Sequence, residues 1–140
     1  MQDMLEGERE VIEWLREFEA ACRGRDFASG RRLFAEDAVA FGTWATAVSG
    51  LADIEREQWR NVWPRIREFR FEARPVTRAM GDAAWVAAAW SSEATGPDGQ
   101  ALRRAGRATF VLARHGGGWR CVHSHVSLSP SQSESVHGRL

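Results

Sequence analysis

The chain has 140 residues, 44% of them apolar, and nineteen basic residues balance nineteen acidic ones for a formal net charge of +0. That length and apolar content suit one compact domain, and the even charge argues against nucleic acid or an anionic membrane surface as a partner. All nineteen basic residues are Arg and Tyr is absent, which removes Schiff-base chemistry, a P-loop lysine and a phenolic acid from the possible functions.

Over residues 5–22, Val11, Trp14, Leu15, Phe18, Ala21 and Cys22 recur at helical spacing, with Glu10, Glu13, Arg16, Glu17 and Glu19 between them. This predicts an amphipathic helix with one buried and one solvated face. The RGRD stretch breaks it, Asp26 suits an N-cap, and Phe27, Leu33 and Phe34 predict a second helix of about two turns. The stretch AVAFGTWATAVSG predicts two short strands meeting at a turn near Gly42. A third helix is predicted over residues 51–63, with Leu51, Ile54, Gln58 and Val62 along one line, Trp59 and Trp63 beside it, and Pro64 closing it.

The second half reads as four antiparallel strands, IREFRFEARPVT, DAAWVAAAWSSEA, LRRAGRATFVLAR and WRCVHSHVSL, separated by the turn signals AMGD, GPDGQ and HGGG. The second of these is apolar on both sides, with Trp85, Ala87 and Ala89 on one and Ala84, Val86, Ala88 and Trp90 on the other. Helices can cover only one of them, so the other needs a partner. The tail SPSQSESVHGRL is Ser-rich and unpatterned, so disorder is expected over residues 129–140 and a single domain over residues 1–128. Cys22 and Cys121 read as reduced thiols, and no run approaches the roughly 20 apolar residues of a membrane span, so a soluble cytoplasmic protein is expected.

Chemistry concentrates in WRCVHSHVSLSP. Strict alternation places Trp119, Cys121, His123, His125 and Ser127 on one face of the strand. Two imidazoles so placed can be metal ligands, a catalytic base and its helper, or polar fittings of a pocket wall. A third ligand at a suitable distance is missing, so neither metal nor cofactor is expected.

The segments RDFASGRRLFAEDAVAF, VSGLADIEREQW, GDAAWVAAAW and GGGWRCVHSHVSLSP, in that order, resemble the nuclear transport factor 2-like superfamily. Ketosteroid isomerases, SnoaL-type polyketide cyclases and the association domain of calmodulin-dependent kinase II share it. The resemblance implies an α+β, cone-shaped, cystatin-like fold, with three N-terminal helices packed on a curved antiparallel sheet and a ligand cavity between them. It places the Trp85 face and the His123 face inward. The isomerase's general base falls at or near Gly42, its oxyanion tyrosine at Phe18 and its second oxyanion acid near Phe110, and none of these can move a proton. The cyclases carry their acid–base aspartate on the closing strand, where this chain has His123 and His125.

The expected pocket is walled by Trp14, Phe18, Phe41, Trp44, Trp59, Trp63 and Trp85, with Arg104 as a further ligand contact and His123 and His125 as polar anchors or acid–base groups. Arg103, Arg104 and Arg107 can hold a carboxylate or form surface ion pairs. The ligand would be an apolar small molecule. The protein would be either a binding module or an isomerase, cyclase or dehydratase; the alternative is a non-catalytic assembly domain. A homodimer is expected through Ala84, Val86, Ala88 and Trp90, taken as the uncovered convex face.

Overall fold

α1 (Gln2–Gly24) is the amphipathic helix that the spacing predicts, burying Val11, Leu15, Phe18 and Cys22 and leaving Glu13 and Glu17 in solvent. The computed structural model describes residues 2–130, so the tail expected to be disordered falls, from residue 131 onward, outside the described residues. α2 (Phe27–Arg32) is capped as predicted: the Asp26 carboxylate accepts from the Ser29 amide at 3.1 Å and from the Ser29 hydroxyl at 2.6 Å. The helix ends earlier than expected, because Phe34 pairs with Cys121 and opens β1 (Phe34–Phe41). β2 (Val48–Ser49) folds back antiparallel on β1, completing the predicted hairpin.

The third helical stretch is segmented. α3 (Leu51–Ile54) runs into a π-helical turn (Glu55–Trp59), then α4 (Arg60–Val62) and a 3-10 turn (Trp63–Arg65) containing Pro64. The expectation of three N-terminal helices therefore needs correcting: one long helix and one short helix precede the sheet, and the broken one lies between β2 and β3. No helix among the described residues is long and apolar enough to cross a membrane.

Five strands follow: β3 (Ile66–Phe71), β4 (Val76–Met80), β5 (Ala83–Thr95), β6 (Ala101–His115) and β7 (Gly118–Leu128). The segment predicted as one strand is two, since β3 and β4 lie end to end along the same edge of β5. The sheet order is β2-β1-β7-β6-β5-β3, and β1 runs parallel to β7. The sheet is therefore mixed, and the antiparallel expectation holds only for the pairs other than β1–β7.

The core lies between the helices and one face of this sheet. Ala84, Val86, Ala88, Trp90 and Ser92 of β5 are buried on that face, as are Ala108, Phe110 and Leu112 of β6. Trp85 and Ala87 are half-buried on the outer face and Ala89 is exposed there. This inverts the expected facing: the set read as an uncovered dimer surface is core, and Trp85 points away from the helices. Periodicity could not choose, because both sets are apolar. The neighbouring strand chooses, since Gly106 lies opposite Trp90 and a side chain there would overlap the Trp90 indole and the Ser127 carbonyl. Only a bare backbone lets the indole lie on β6.

The closing strand also departs from strict alternation. Leu112 pairs with Cys121 and Val111 with His123, so Val122 is an extra residue, a β-bulge. Before it, Trp119 and Cys121 face the core; after it, Ser124 does, at 5% exposure. His123 and His125 consequently turn to the outer face, where both pack edge-on to Phe41, at 5.0 and 5.4 Å.

Candidate functional site

Where α1, the segmented helix and the inner sheet face meet, one hollow remains, lined by Phe18, Cys22, Trp59, Trp63, Trp90 and Phe110 and, toward its mouth, by Phe41, Gly42 and Thr43. It is narrow: the space able to hold water-sized occupants is about 50 Å³, within a hollow of about 590 Å³ once the open mouth is counted. The aromatic wall explains the tightness. Trp59 stacks on Trp63 with centroids 4.8 Å apart, and Phe18 sits 6.0 Å from Trp59 and 5.3 Å from Phe110. On α2, Gly30 leaves room for this stack, since a Cβ there would come within 2.9 Å of the Trp63 ring.

The mouth is held by Gln58, a buried polar residue on the π-helical turn. Its Oε1 accepts from the Trp44 amide at 3.1 Å and the Ala45 amide at 2.7 Å, and its Nε2 donates to Thr43 Oγ1 at 3.3 Å. Gly42 is required beside it, because any Cβ would collide with the Gln58 carboxamide. One turn earlier, Glu55 bonds Arg31 at 2.6 Å and Arg60 Nε at 2.8 Å. Burial works against the Glu55 carboxylate, yet the two guanidinium groups hold its pKa below the ordinary value. These contacts fasten the segmented helix to α2 and to the mouth loop.

The polar groups on the wall are few: Arg104, Ser124, Gln58 and Thr43. Arg104 lies on the inner side of β6, its Nη1 3.5 Å from Ser92 Oγ and its guanidinium 5.4 Å from the centre of the Trp90 ring. Cys22 is also on the wall, but burial raises its thiol pKa well above the ordinary value, so it is held as the protonated thiol. Among the described residues no His, Asp or Glu lines the hollow.

Of the expected pocket residues, Phe18, Phe41, Trp59, Trp63 and Arg104 meet at the hollow. Trp14 does not; it is core, stacked on Phe18, with its Nε1 donating to the Leu33 carbonyl at 3.0 Å. Trp44 is 58% exposed on the mouth loop beneath the Arg65 guanidinium. Trp85, His123 and His125 belong to the outer face, and His123 Nδ1 donates to the Val39 carbonyl at 2.8 Å. Sequence reasoning missed Trp90 and Ser124, which the unforeseen facing and bulge bring inward. Gln58 was visible as a polar residue on an apolar helix line. Among the described residues no cluster of three His, Cys, Asp or Glu side chains is arranged to hold a metal ion.

The profile of the SnoaL-like domain matches residues 11–131. The chain belongs to the SnoaL-like domain family. Solved structures agree on the NTF2-like fold. An NTF2-like superfamily protein from Salmonella enterica superposes with a TM-score of 0.76 at 23% identity, covering 86% of this chain and 89% of that one. A ketosteroid isomerase-like protein from Erwinia carotovora atroseptica gives 0.77 at 19% identity, covering 89% and 98%. A candidate calcium/calmodulin-dependent protein kinase II association domain from Xanthomonas campestris gives 0.74 at 22%, covering 87% of each. Comparison with curated proteins returned no match. In this SnoaL-like domain Phe18, Gly42 and Phe110, the positions that the resemblance gives to the isomerase's proton-moving groups, all line the hollow and carry none of them.

Proposed function

We propose that this SnoaL-like domain binds an apolar small molecule in the Trp-lined hollow. One observation carries the reading: buried aromatic rings converge on a single space with a handful of polar groups, the usual make-up of a small-molecule site. Acid–base turnover by His123 or His125 is not part of the proposal, because the bulge at Val122 turns both away from that space. The tightness of the hollow implies that a ligand enters at the mouth and displaces Trp59 or Trp63 from their stack.

The test is a thermal-shift screen against small aromatic and apolar metabolites, with mass spectrometry of whatever the native protein releases on denaturation. A ligand near one hundred times its Kd adds about 2.7 kcal/mol to the folded state, a rise of several degrees. Val126→Trp, which fills the hollow, should abolish the shift. A protein that releases nothing and is stabilised by no chemotype would remove the basis for the proposal.

We also propose that the domain forms a homodimer, through the outer sheet face in place of the set first expected. Arg78, Trp85, Val111, His123 and Val39 form one cross-strand row there, with the Arg78 guanidinium over the Trp85 ring, beside a second of Val76, Ala87, Thr109, His125 and Phe41. Both rows lie on the side opposite the helices, and two-fold pairing is the commonest way to bury such a surface.

A further inference from the structure

Arg104 stands out among the polar groups of the hollow. Among the described residues it is the only charged side chain on the wall, and no carboxylate of theirs lies within ion-pair distance of it. Its one side-chain hydrogen bond, to Ser92 Oγ, is long at 3.5 Å. Burial lowers its pKa below the ordinary value with no neighbouring acid to compensate. A second donor beside it is also unmatched: Trp90 is 4% exposed, lies under the Arg104 guanidinium, and its Nε1–H has no hydrogen-bond partner among the described residues.

The guanidinium is half-buried and the indole N–H fully buried, and a bound anion would give the first a counter-charge and could give the second an acceptor. Alternation singles out this arginine, since Arg103 and Arg107 are exposed on the outer side of β6. One guanidinium fork with no second cation on the wall matches a planar monoanion better than a phosphate dianion. The surrounding rings ask that the rest of the ligand be apolar and flat.

Resting on the reading of the hollow as a small-molecule site, we infer that its ligand is an aromatic or apolar monocarboxylate, its carboxylate held by Arg104 beside the Trp90 N–H. The ring system of such a ligand then lies toward Trp59 and Trp63.

Calorimetric titration with phenylacetate, its neutral isostere phenylacetamide and phenyl phosphate tests this. Wild type should bind phenylacetate about tenfold or more tightly than the amide, as a charge-assisted bidentate pair implies. In Arg104→Met the preference should fall to about twofold or less while affinity for the amide persists. If that variant does not fold, the indole N–H proton resonance of Trp90 in wild type, assigned by its loss in Trp90→Phe, decides: phenylacetate should move it downfield by clearly more than phenylacetamide, whose carbonyl is a neutral and weaker acceptor, and equal shifts would overturn the inference. Equal binding of acid and amide would overturn the anion inference and leave the cavity reading standing. Tighter binding of phenyl phosphate would overturn the carboxylate class, and binding of none of the three would overturn both readings.

Discussion

Gln58→Leu removes one side-chain oxygen and with it the acceptor of two mouth-loop amides, Trp44 at 3.1 Å and Ala45 at 2.7 Å. Each such bond contributes about 1 kcal/mol net, and a donor left without water costs more. Trp44 is exposed, so solvent can take its amide; Ala45 is half-buried and has less access. The expected loss is therefore about 1–2 kcal/mol, or a melting temperature lower by roughly 3–8 °C for a chain of this size. Hydrogen exchange gives the sharper readout. The Trp44 and Ala45 amides should lose about tenfold of their protection, while amides of β5 and β6 change only with global stability. Gln58→Glu, whose carboxylate still accepts from both amides, should recover most of that protection, lacking only the donation to Thr43 Oγ1. Unchanged exchange at both amides in Gln58→Leu, with an unchanged melting temperature, would refute the assignment of Gln58 as the anchor of the mouth.

Gly106→Ala should destabilise by about 3 kcal/mol in denaturant titration, near the upper end for overpacking, because the obstructing atoms are a backbone carbonyl and a buried indole. Glu55 makes stability pH-dependent. Its folded pKa is lowered, so its contribution is present above the unfolded carboxylate pKa and is lost as pH falls through the folded one. Glu55→Gln should flatten that acid limb in melting curves recorded from neutral pH downward, and an unchanged limb would show that the Arg31 and Arg60 pairs contribute nothing. Trp85→Glu should convert a particle of twice 15.7 kDa into one of 15.7 kDa by light scattering, and a wild type that is already monomeric would end the dimer proposal.

Much of this molecule is written in local pattern. α1, the Asp26 cap, the β1–β2 hairpin and the aromatic helix faces that carry Phe18, Trp59 and Trp63 all follow from spacing, because each is fixed by neighbours within a turn or two of chain. Alternation alone separates Arg104 from Arg103 and Arg107. What pattern could not supply is whatever depends on a distant partner. Phe34 leaves its helix because Cys121 is there to pair with, and the orientation of β5 depends on Gly106, sixteen residues beyond Trp90. The histidines were misplaced for the same reason: an alternation carried from Trp119 through to Ser127 has no means of registering that Val111 and Leu112, on another strand, leave Val122 without a counterpart.

That unpaired valine decides which residues of the closing strand face the hollow and which face outward, so the two faces can be edited separately. Substitutions at Ser124 and Val126 rewrite the chemistry of the hollow without touching the outer surface, and substitutions at His123 and His125 do the reverse. A designer wishing to install a proton-transfer group would therefore leave both imidazoles alone and place a carboxylate at Ser124, which lies opposite Phe110 and beside Ala40. A single exchange there would put a proton-transfer group on the wall of the hollow and leave the outer sheet face unaltered.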